Sequence, residues 1–252
     1  MKKLLVSALL GSVVLPFAAQ AAVTKSERAL IVLSELDQQA YPELRPLYTV
    51  MENITSEVPR GAFGSQYGTV RVLQNDAATL RRLKSTLYSL SANPQVKAID
   101  LFVNTHGTEG VIFFYDGGTS TRHVREEIMS PDAPYTDASR NLLRKKLRML
   151  YSTACFGATH NSDWMQMGFD VTDGALGVNA NAEVEYPSFV HAWSTGQPYS
   201  NGFRLSNTDA ALLATDGPLR LAGQIGNNFL REVNSKKVFS GNTSITINSD
   251  AQ

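Results

Sequence analysis

Two apolar runs that each end at a chemically reactive side chain constrain the fold of this chain most strongly. The first is Ile99-Asp-Leu-Phe-Val-Asn-Thr-His106-Gly107, and the second is Leu147-Arg-Met-Leu-Tyr-Ser-Thr-Ala154-Cys155. Both are rich in strand-forming residues and are followed by small residues, which predicts two β-strands ending at His106 and Cys155. If the strands are parallel neighbours, their carboxyl ends lie about 4.8 Å apart at the edge where open α/β sheets bind ligands. The sequence therefore predicts that His106 and Cys155 meet in space.

The first 21 residues have the pattern of an export signal. Lys2 and Lys3 precede an apolar stretch from Leu4 to Phe17, and Ala19-Gln20-Ala21 supplies the small residues that a signal peptidase requires. The apolar stretch is short for a membrane span, and no later segment approaches the roughly 18 apolar residues that a span needs. We therefore expect residues 1–21 to be a signal peptide and residues 22–252 to form one exported domain without a membrane anchor.

Charge and cysteine content narrow the classes of partner. The chain carries 23 basic and 23 acidic side chains, and its densest basic cluster, Arg144–Arg148, is predicted to lie on an amphipathic helix leading into a strand, so no nucleic-acid partner is expected. Exported proteins usually keep cysteines in disulfides, but Cys155 is the only cysteine. Cys155 is then either a reactive thiol or a small buried apolar residue.

The rest of the chain alternates strand and helix patterns, which predicts a mainly parallel sheet with helices on both faces. Further strands are predicted at 28–33, 68–73 and 174–179, and a hairpin at 111–124. The segment 41–68, broken by proline and glycine, predicts a short helix and an irregular loop. The tail 236–252 is expected to be an edge strand or a flexible end. Helices are predicted after a cap at Asn75 or Asp76 and at 137–146, 162–167, 186–193 and 201–213.

These motifs resemble the caspase-like superfamily of cysteine peptidases. The resemblance depends on the strand ending in His106-Gly107, the later strand ending in Ala154-Cys155, and the stretch Gly174 to Trp193, and it covers about residues 28 to 215. It implies a caspase-like three-layer sandwich with a mainly parallel central sheet flanked by helices. The caspase signature after the cysteine is replaced by Phe156-Gly157, so no subfamily is assigned.

The resemblance implies a cysteine endopeptidase that acts on peptide or protein substrates through a Cys-His dyad and an acyl-enzyme. Cys155 is the candidate nucleophile, and His106 is the candidate general acid and base. The backbone N–H groups of Gly107 and Cys155 are the candidate oxyanion hole. A strand-end position beside an imidazole and a helix N-terminus is expected to lower the thiol pKa. No third acid and no cofactor are expected, and strand-edge pairing would permit a homodimer.

By the same resemblance, the substrate pocket is built from residues 34–37 and 179–185. These segments carry Glu35, Asp37, Glu183 and Glu185 and no basic residue, which favours cleavage after Arg or Lys. The alternative is that these acids are ordinary solvated loop residues.

Three other assignments compete with a Cys-His peptidase. Cys155, His160 and Asp163 resemble a metal site, but a structural zinc needs four ligands, so no metal is expected. His123 is predicted to be exposed, and His191 is predicted to pack in a helix. No Gly-x-Ser-x-Gly motif supports a serine hydrolase. An inactive caspase-like binding or regulatory module remains the alternative function.

Overall fold

A six-stranded sheet forms the centre of the molecule. The computed structural model describes residues 22–38, 45–132, 134–225 and 228–251, so the predicted signal peptide lies outside the described residues. Its strands are β1 (Arg28–Glu35), β2 (Thr69–Gln74), β3 (Ala98–Thr105), β7 (Leu147–Ser152), β8 (Val171–Ala175) and β9 (Lys237–Gly241). The strand order is β2-β1-β3-β7-β8-β9, parallel except for β9, which confirms the predicted mainly parallel sheet.

Helices cover both faces of this sheet because its central strands are apolar on both sides. Along β1, Leu30 and Val32 enter one core, and Ile31 and Leu33 enter the other. The first core packs against α1 (Arg45–Phe63) and α6 (Ala182–Ser194). The second packs against α2 (Leu80–Ala92), α3 (Thr121–Met129), α4 (Asp137–Arg144) and α5 (Asn161–Met167). The predicted three-layer architecture is thus confirmed.

A small antiparallel sheet follows His106. Its strands are β4 (Gly107–Thr108), β5 (Val111–Phe114) and β6 (Gly117–Ser120). The predicted hairpin is correct up to Ser120, but the prediction that its second strand continues to Val124 is wrong. The Ser120 hydroxyl accepts a hydrogen bond from the backbone N–H of His123 at 3.1 Å, which starts α3.

Three other boundaries differ from the sequence prediction. The strand predicted at 174–179 is observed as β8, which begins earlier, at Val171, and ends at Ala175. Asp173 can lie inside this buried strand because it forms an ion pair with Lys237. The helix α2 is capped by Thr79, and Asn75 and Asp76 lie in a 3-10 turn before it. The helix predicted at 201–213 is a 3-10 turn, Tyr199–Phe203, followed by α7 (Asp209–Ile225).

The segment expected to be an irregular loop is also more regular than predicted. Helix α1 continues from Arg45 through Pro59 to Phe63, and residues 41–44 lie outside the described part of the chain. At the other end of the chain, β9 is an edge strand beside β8. Of the two alternatives predicted for the tail, an edge strand or a flexible end, the structure shows the edge strand for Lys237–Gly241. Within the described residues, no helix has the length and apolar character needed to cross a membrane.

Candidate active site

The ends of β3 and β7 bring His106 and Cys155 to one pocket. The two strands are parallel neighbours with Val103 opposite Ser152, and the N–H of Thr153 donates to the Val103 carbonyl at 2.9 Å. His106 follows β3 directly, and Cys155 lies just beyond β7. Both side chains line a pocket of about 180 Å³. The pairing of β3 with β7 therefore brings the two residues to the lining of one pocket.

The ring of His106 is held in one orientation by the backbone. Its Nε2 lies 2.7 Å from the carbonyl oxygen of Leu36, which can only accept, so Nε2 carries the proton and Nδ1 is an acceptor in the neutral ring. The ring of Tyr48 packs edge-on against the imidazole, with 4.8 Å between the ring centroids. Burial lowers the pKa of His106 below its ordinary value of 6.5. The imidazole is therefore neutral at neutral pH.

Leu36 is in turn fixed by an acid that the sequence analysis did not single out. The Glu52 carboxylate accepts the backbone N–H groups of Leu36 and Asp37 at 2.8 and 3.2 Å. Glu52 is buried, which raises the pKa of its carboxyl group. Its role depends on helix α1 lying against the end of β1, a contact that no local sequence pattern marks.

Glu52 also belongs to a group of acids that could share a metal ion. Carboxylate oxygens of Glu35, Asp37 and Glu52 lie within 4.8 Å of one another, and among the described residues they are the group with this geometry. Acidic groups of this kind are common without a metal ion. What the contacts establish is that Glu52 holds the backbone that orients His106.

The Cys155 thiol is partly buried and has an N–H donor beside it. The backbone N–H of Asn179 points to Sγ at 3.4 Å, and the Asn179 side chain donates to the Thr153 carbonyl at 3.0 Å. Burial raises the pKa of the thiol, while the N–H groups of Asn179 and of Cys155 itself, and the charge of Lys237, lower it by less. The predicted fall in pKa is wrong because desolvation outweighs the nearby donors.

Close packing of the backbone explains why glycines lie around His106 and Cys155. A Cβ atom at Gly107 would lie 2.6 Å from the carbonyl oxygen of Cys155. A Cβ atom at Gly174, on β8, would overlap the carbonyl carbon of Gly157, in the turn that follows Cys155. Phe156, which lies between Cys155 and Gly157 in the chain, adopts a left-handed backbone conformation with φ 54°. The Cys155 turn is thus pressed against two neighbouring strand ends, where only glycine fits.

This packing predicts a strong effect of Gly174→Ala. We expect the substitution to destabilise the protein by about 3 kcal/mol, because the added methyl group displaces the turn after Cys155. Thermal unfolding should then shift down by about 10 °C. Gly217→Ala is the matched control, since its Cβ would make only an ordinary contact inside α7 and alanine favours helix. Equal melting temperatures for wild type and Gly174→Ala would contradict this packing argument.

Of the four acids predicted to line the substrate pocket, Glu183 alone does so. Glu185 is fully buried and pairs with Lys237 at 3.2 Å, because α6 begins at Ala182 and residues two apart on a helix face different sides.

Glu35 is also fully buried and accepts the backbone N–H of Gln38. Asp37 accepts the hydroxyl of Thr49 outside the pocket. The prediction is therefore wrong in position for Glu35, Asp37 and Glu185.

The pocket walls are mainly apolar and come from two helices. Helix α1 provides one wall and the start of α6 the other, and Thr105, Thr153 and Asn179 lie near the strand ends. Glu183 is the acidic residue of the lining. The apolar lining consists of Leu36, Tyr48, Met51, Ile54, Ala182, Tyr186 and Pro187.

The other histidines have structural explanations. His160 is buried, and its Nε2 lies 2.9 Å from the carbonyl oxygen of Thr108, in the small sheet after His106. Asp163 forms an ion pair with Arg125 at 2.8 Å. The rival metal group of Cys155, His160 and Asp163 therefore has its histidine and its carboxylate engaged elsewhere. His123 is exposed, as predicted. His191 lies on α6 as predicted, but it is exposed, so the prediction that it packs inside the protein is wrong.

The sheet order places His106 after β3 and Cys155 after β7, at the carboxyl ends of neighbouring parallel strands of an α/β sheet. No family model and no curated protein matches the chain. Among solved structures, it is similar to caspase-1 from Spodoptera frugiperda, with 12% identity, a TM-score of 0.46, and coverage of 91% of this chain and 92% of that one. It is also similar to a secreted C11 cysteine protease from Bacteroides thetaiotaomicron, with 12% identity, a TM-score of 0.39, and coverage of 65% and 53%. The case for a particular activity therefore depends on the geometry of the site.

Proposed function

We propose that this protein is a cysteine endopeptidase in which Cys155 is the nucleophile and His106 the general acid and base. The observation that carries the proposal is the orientation of His106. Its Nε2–H is committed to the Leu36 carbonyl, so Nδ1 is available as a proton acceptor in the pocket that Cys155 also lines. A thiol and an oriented neutral imidazole at one pocket are the minimum for nucleophilic catalysis on a peptide carbonyl.

The pKa directions indicate how the proton moves. Cys155 has a raised pKa and His106 a lowered one, so the resting pair is a neutral thiol and a neutral imidazole. His106 Nδ1 takes the thiol proton as the S–C bond forms, and gives it to the leaving amine as the C–N bond breaks. His106 then accepts a proton from water as water attacks the thioester carbonyl, and returns it to the Cys155 sulfur as the S–C bond breaks and the carboxylic acid product leaves.

Two backbone N–H groups are proposed to bind the oxyanion, those of Cys155 and Gly107. Support for Gly107 comes from the ladder of the small sheet. The His106 carbonyl accepts the N–H of Phe113, and antiparallel pairs alternate between bonded and non-bonded, so the N–H of Gly107 in the next pair points away from β5. The absence of a side chain at Gly107 lets this edge lie against the Cys155 backbone.

We further propose that the enzyme cleaves after Arg or Lys. These side chains have an apolar stem and a charged end, which suits a pocket with apolar walls and the Glu183 carboxylate at its lining. A pocket without an acid would favour leucine, methionine or phenylalanine instead.

Glu183→Gln tests this specificity. We expect kcat/KM for peptides with Arg or Lys before the cleaved bond to fall by about tenfold, and kcat/KM for peptides with leucine there to stay unchanged. The change removes a charge and keeps the shape, so a selective loss reports on charge pairing. Glu126→Gln, at an exposed acid away from the pocket, is the matched control. An equal effect of Glu183→Gln on both classes of peptide would rule out a basic specificity pocket.

Export of the mature chain 22–252 is part of the proposal. Its support is the sequence of the first 21 residues, with two lysines, an apolar stretch and small residues before Ala22. Mass measurement of the protein recovered from outside the cytoplasm should give a chain that starts at Ala22.

An inactive binding module is the second candidate, and one observation favours it. The thiol is desolvated enough to raise its pKa, as expected of an inert buried cysteine. The deciding experiment incubates residues 22–252 with fluorogenic peptides under reducing conditions, before and after alkylation with iodoacetamide. Cleavage that alkylation abolishes supports the peptidase. No cleavage, together with a thiol that resists iodoacetamide, supports the binding module.

A further inference from the structure

A cluster of buried charges lies behind the candidate nucleophile. Lys237 on β9, Asp173 on β8 and Glu185 on α6 are each at most 2% exposed. The Lys237 Nζ lies 3.2 Å from a Glu185 oxygen and 3.5 Å from an Asp173 oxygen. One cation and two carboxylates in a dry interior are costly to maintain, and such groups are destabilising unless each has close partners.

The cluster holds the end of β7 on both sides of Ser152, three residues before Cys155. The carbonyl oxygen of Ser152 accepts a hydrogen bond from Lys237, and its backbone N–H donates to Asp173 at 2.9 Å. The Ser152 hydroxyl then accepts the N–H of Ala154 at 3.2 Å. The chain is thus fixed, residue by residue, from the buried charges up to the thiol.

The same lysine ties this strand end to the wall of the substrate pocket. Glu185 lies in the first turn of α6, between Glu183 and Tyr186, which both line the pocket. Its carboxylate also accepts the hydroxyl of Tyr151, on β7, at 3.0 Å. Lys237 therefore connects the strand that carries the nucleophile with the helix that carries the specificity wall.

We propose that Lys237 is a positioning residue for the reaction, which sets the place and the charge state of the Cys155 thiol through Ser152 and aligns α6 through Glu185. The inference rests on the proposed peptidase function and deepens it. The aromatic rings of Tyr151 and Phe203 lie 5.0 and 6.0 Å from the ammonium group and exclude water on its remaining sides.

The charge of Lys237 acts on the thiol in the direction that the proposal requires, since it lowers the pKa of Cys155. The titratable groups that face Lys237 are Asp173, Glu185, Tyr151 and Tyr199, and burial raises the pKa of each. For Glu185 that value is about 7, so its charge, and the net charge of the cluster, change near neutral pH. Any pH profile of the thiol therefore includes the titration of Glu185.

The test is the pH dependence of the rate at which iodoacetamide alkylates Cys155, which needs no peptidase activity. In Lys237→Met, we expect the midpoint to move to higher pH by about one unit, a roughly tenfold loss of thiolate at a pH below it. Lys237→Arg keeps the charge, so its alkylation midpoint should lie close to that of the wild type. With cleavage measured in parallel, kcat should fall more than KM rises.

Arg148→Met is the matched control for loss of a buried ion pair. Arg148 and Asp100 are both fully buried and paired, and they lie at the opposite ends of β7 and β3 from the pocket. This variant should lose stability and keep the wild-type alkylation midpoint. An unchanged midpoint in Lys237→Met, or an equal shift in Arg148→Met, would overturn the proposal.

Glu185→Gln covers the case in which Lys237→Met does not fold. It retains Lys237 and removes one anion, so the midpoint should move to lower pH, opposite to the effect of removing the lysine. General loosening of the site would not produce a shift of that sign. A shift to higher pH in Glu185→Gln contradicts the charge role of Lys237. Because alkylation reports on the thiol itself, these results stand whether or not peptides are cleaved.

Discussion

Replacing Cys155 with alanine is expected to lower kcat/KM for peptide cleavage by about 10⁴-fold or more. Without the sulfur no acyl-enzyme can form, and His106 and the backbone N–H groups remain with no nucleophile to assist. The thiol is only partly buried and accepts the backbone N–H of Asn179, a weak contact that the fold does not need, so the fold should survive the change. Initial rates against the best fluorogenic peptide, at matched concentrations of folded protein, measure the effect.

Ser65→Ala provides the control for the Cys155 variant. Ser65 is exposed, lies in the turn between α1 and β2, and is outside the pocket lining. It should retain cleavage within about threefold, because surface substitutions away from a site have small effects. Cleavage by Cys155→Ala at the wild-type rate would mean that another residue, or a contaminating peptidase, is responsible.

Loss of the imidazole in His106→Ala is expected to lower kcat by about 10³-fold, with a smaller change in KM. The pH dependence of wild-type activity shows which protonation state of His106 the reaction requires. A neutral His106 is needed to accept the thiol proton, so activity is present above the pKa of His106 and is lost as pH falls through it. Because burial lowers that pKa, the acidic limb of kcat/KM should lie below pH 6.5.

His191→Ala is the matched control, since His191 is an exposed histidine on α6 with its side chain outside the pocket lining. Its activity and pH profile should equal those of the wild type. An acidic limb above pH 6.5, or a kcat in His106→Ala within about threefold of wild type, would exclude His106 as the general base.

The sequence predicted those parts of the site that depend on strand ends. The apolar runs before His106 and Cys155 form β3 and β7, and the alternation of strands and helices predicted a mainly parallel sheet. That β3 and β7 are neighbours in it was a condition of the prediction, which the structure meets. The glycines at 107 and 174 stand where backbones touch. These features are local in sequence, which is why hydrophobic patterning and small residues reveal them.

The parts that the sequence did not predict depend on contacts between distant segments. The strand predicted at 174–179 left out Asp173, which lies inside β8 and is paired with Lys237 from β9, 64 residues later. Glu185 was predicted to line the substrate pocket, but helix α6 begins at Ala182 and directs its carboxylate to the same lysine. Desolvation of Cys155 likewise arises from the packed fold, so the direction of its pKa shift could not be read from neighbours in the chain.

The proposed function depends on His106 and Cys155 acting as a pair, and covalent labelling by peptides measures whether they do. Wild type and His106→Ala are incubated with peptidyl chloromethyl ketones ending in Arg, Lys, Leu or Phe, and intact mass is followed with time. We expect one added peptidyl group on Cys155 in the wild type, and labelling at least about tenfold slower in His106→Ala. Iodoacetamide should label Cys155 in both proteins, which shows that the thiol is present. Equal rates of peptidyl labelling, or none in a wild type that iodoacetamide labels, would contradict a catalytic dyad.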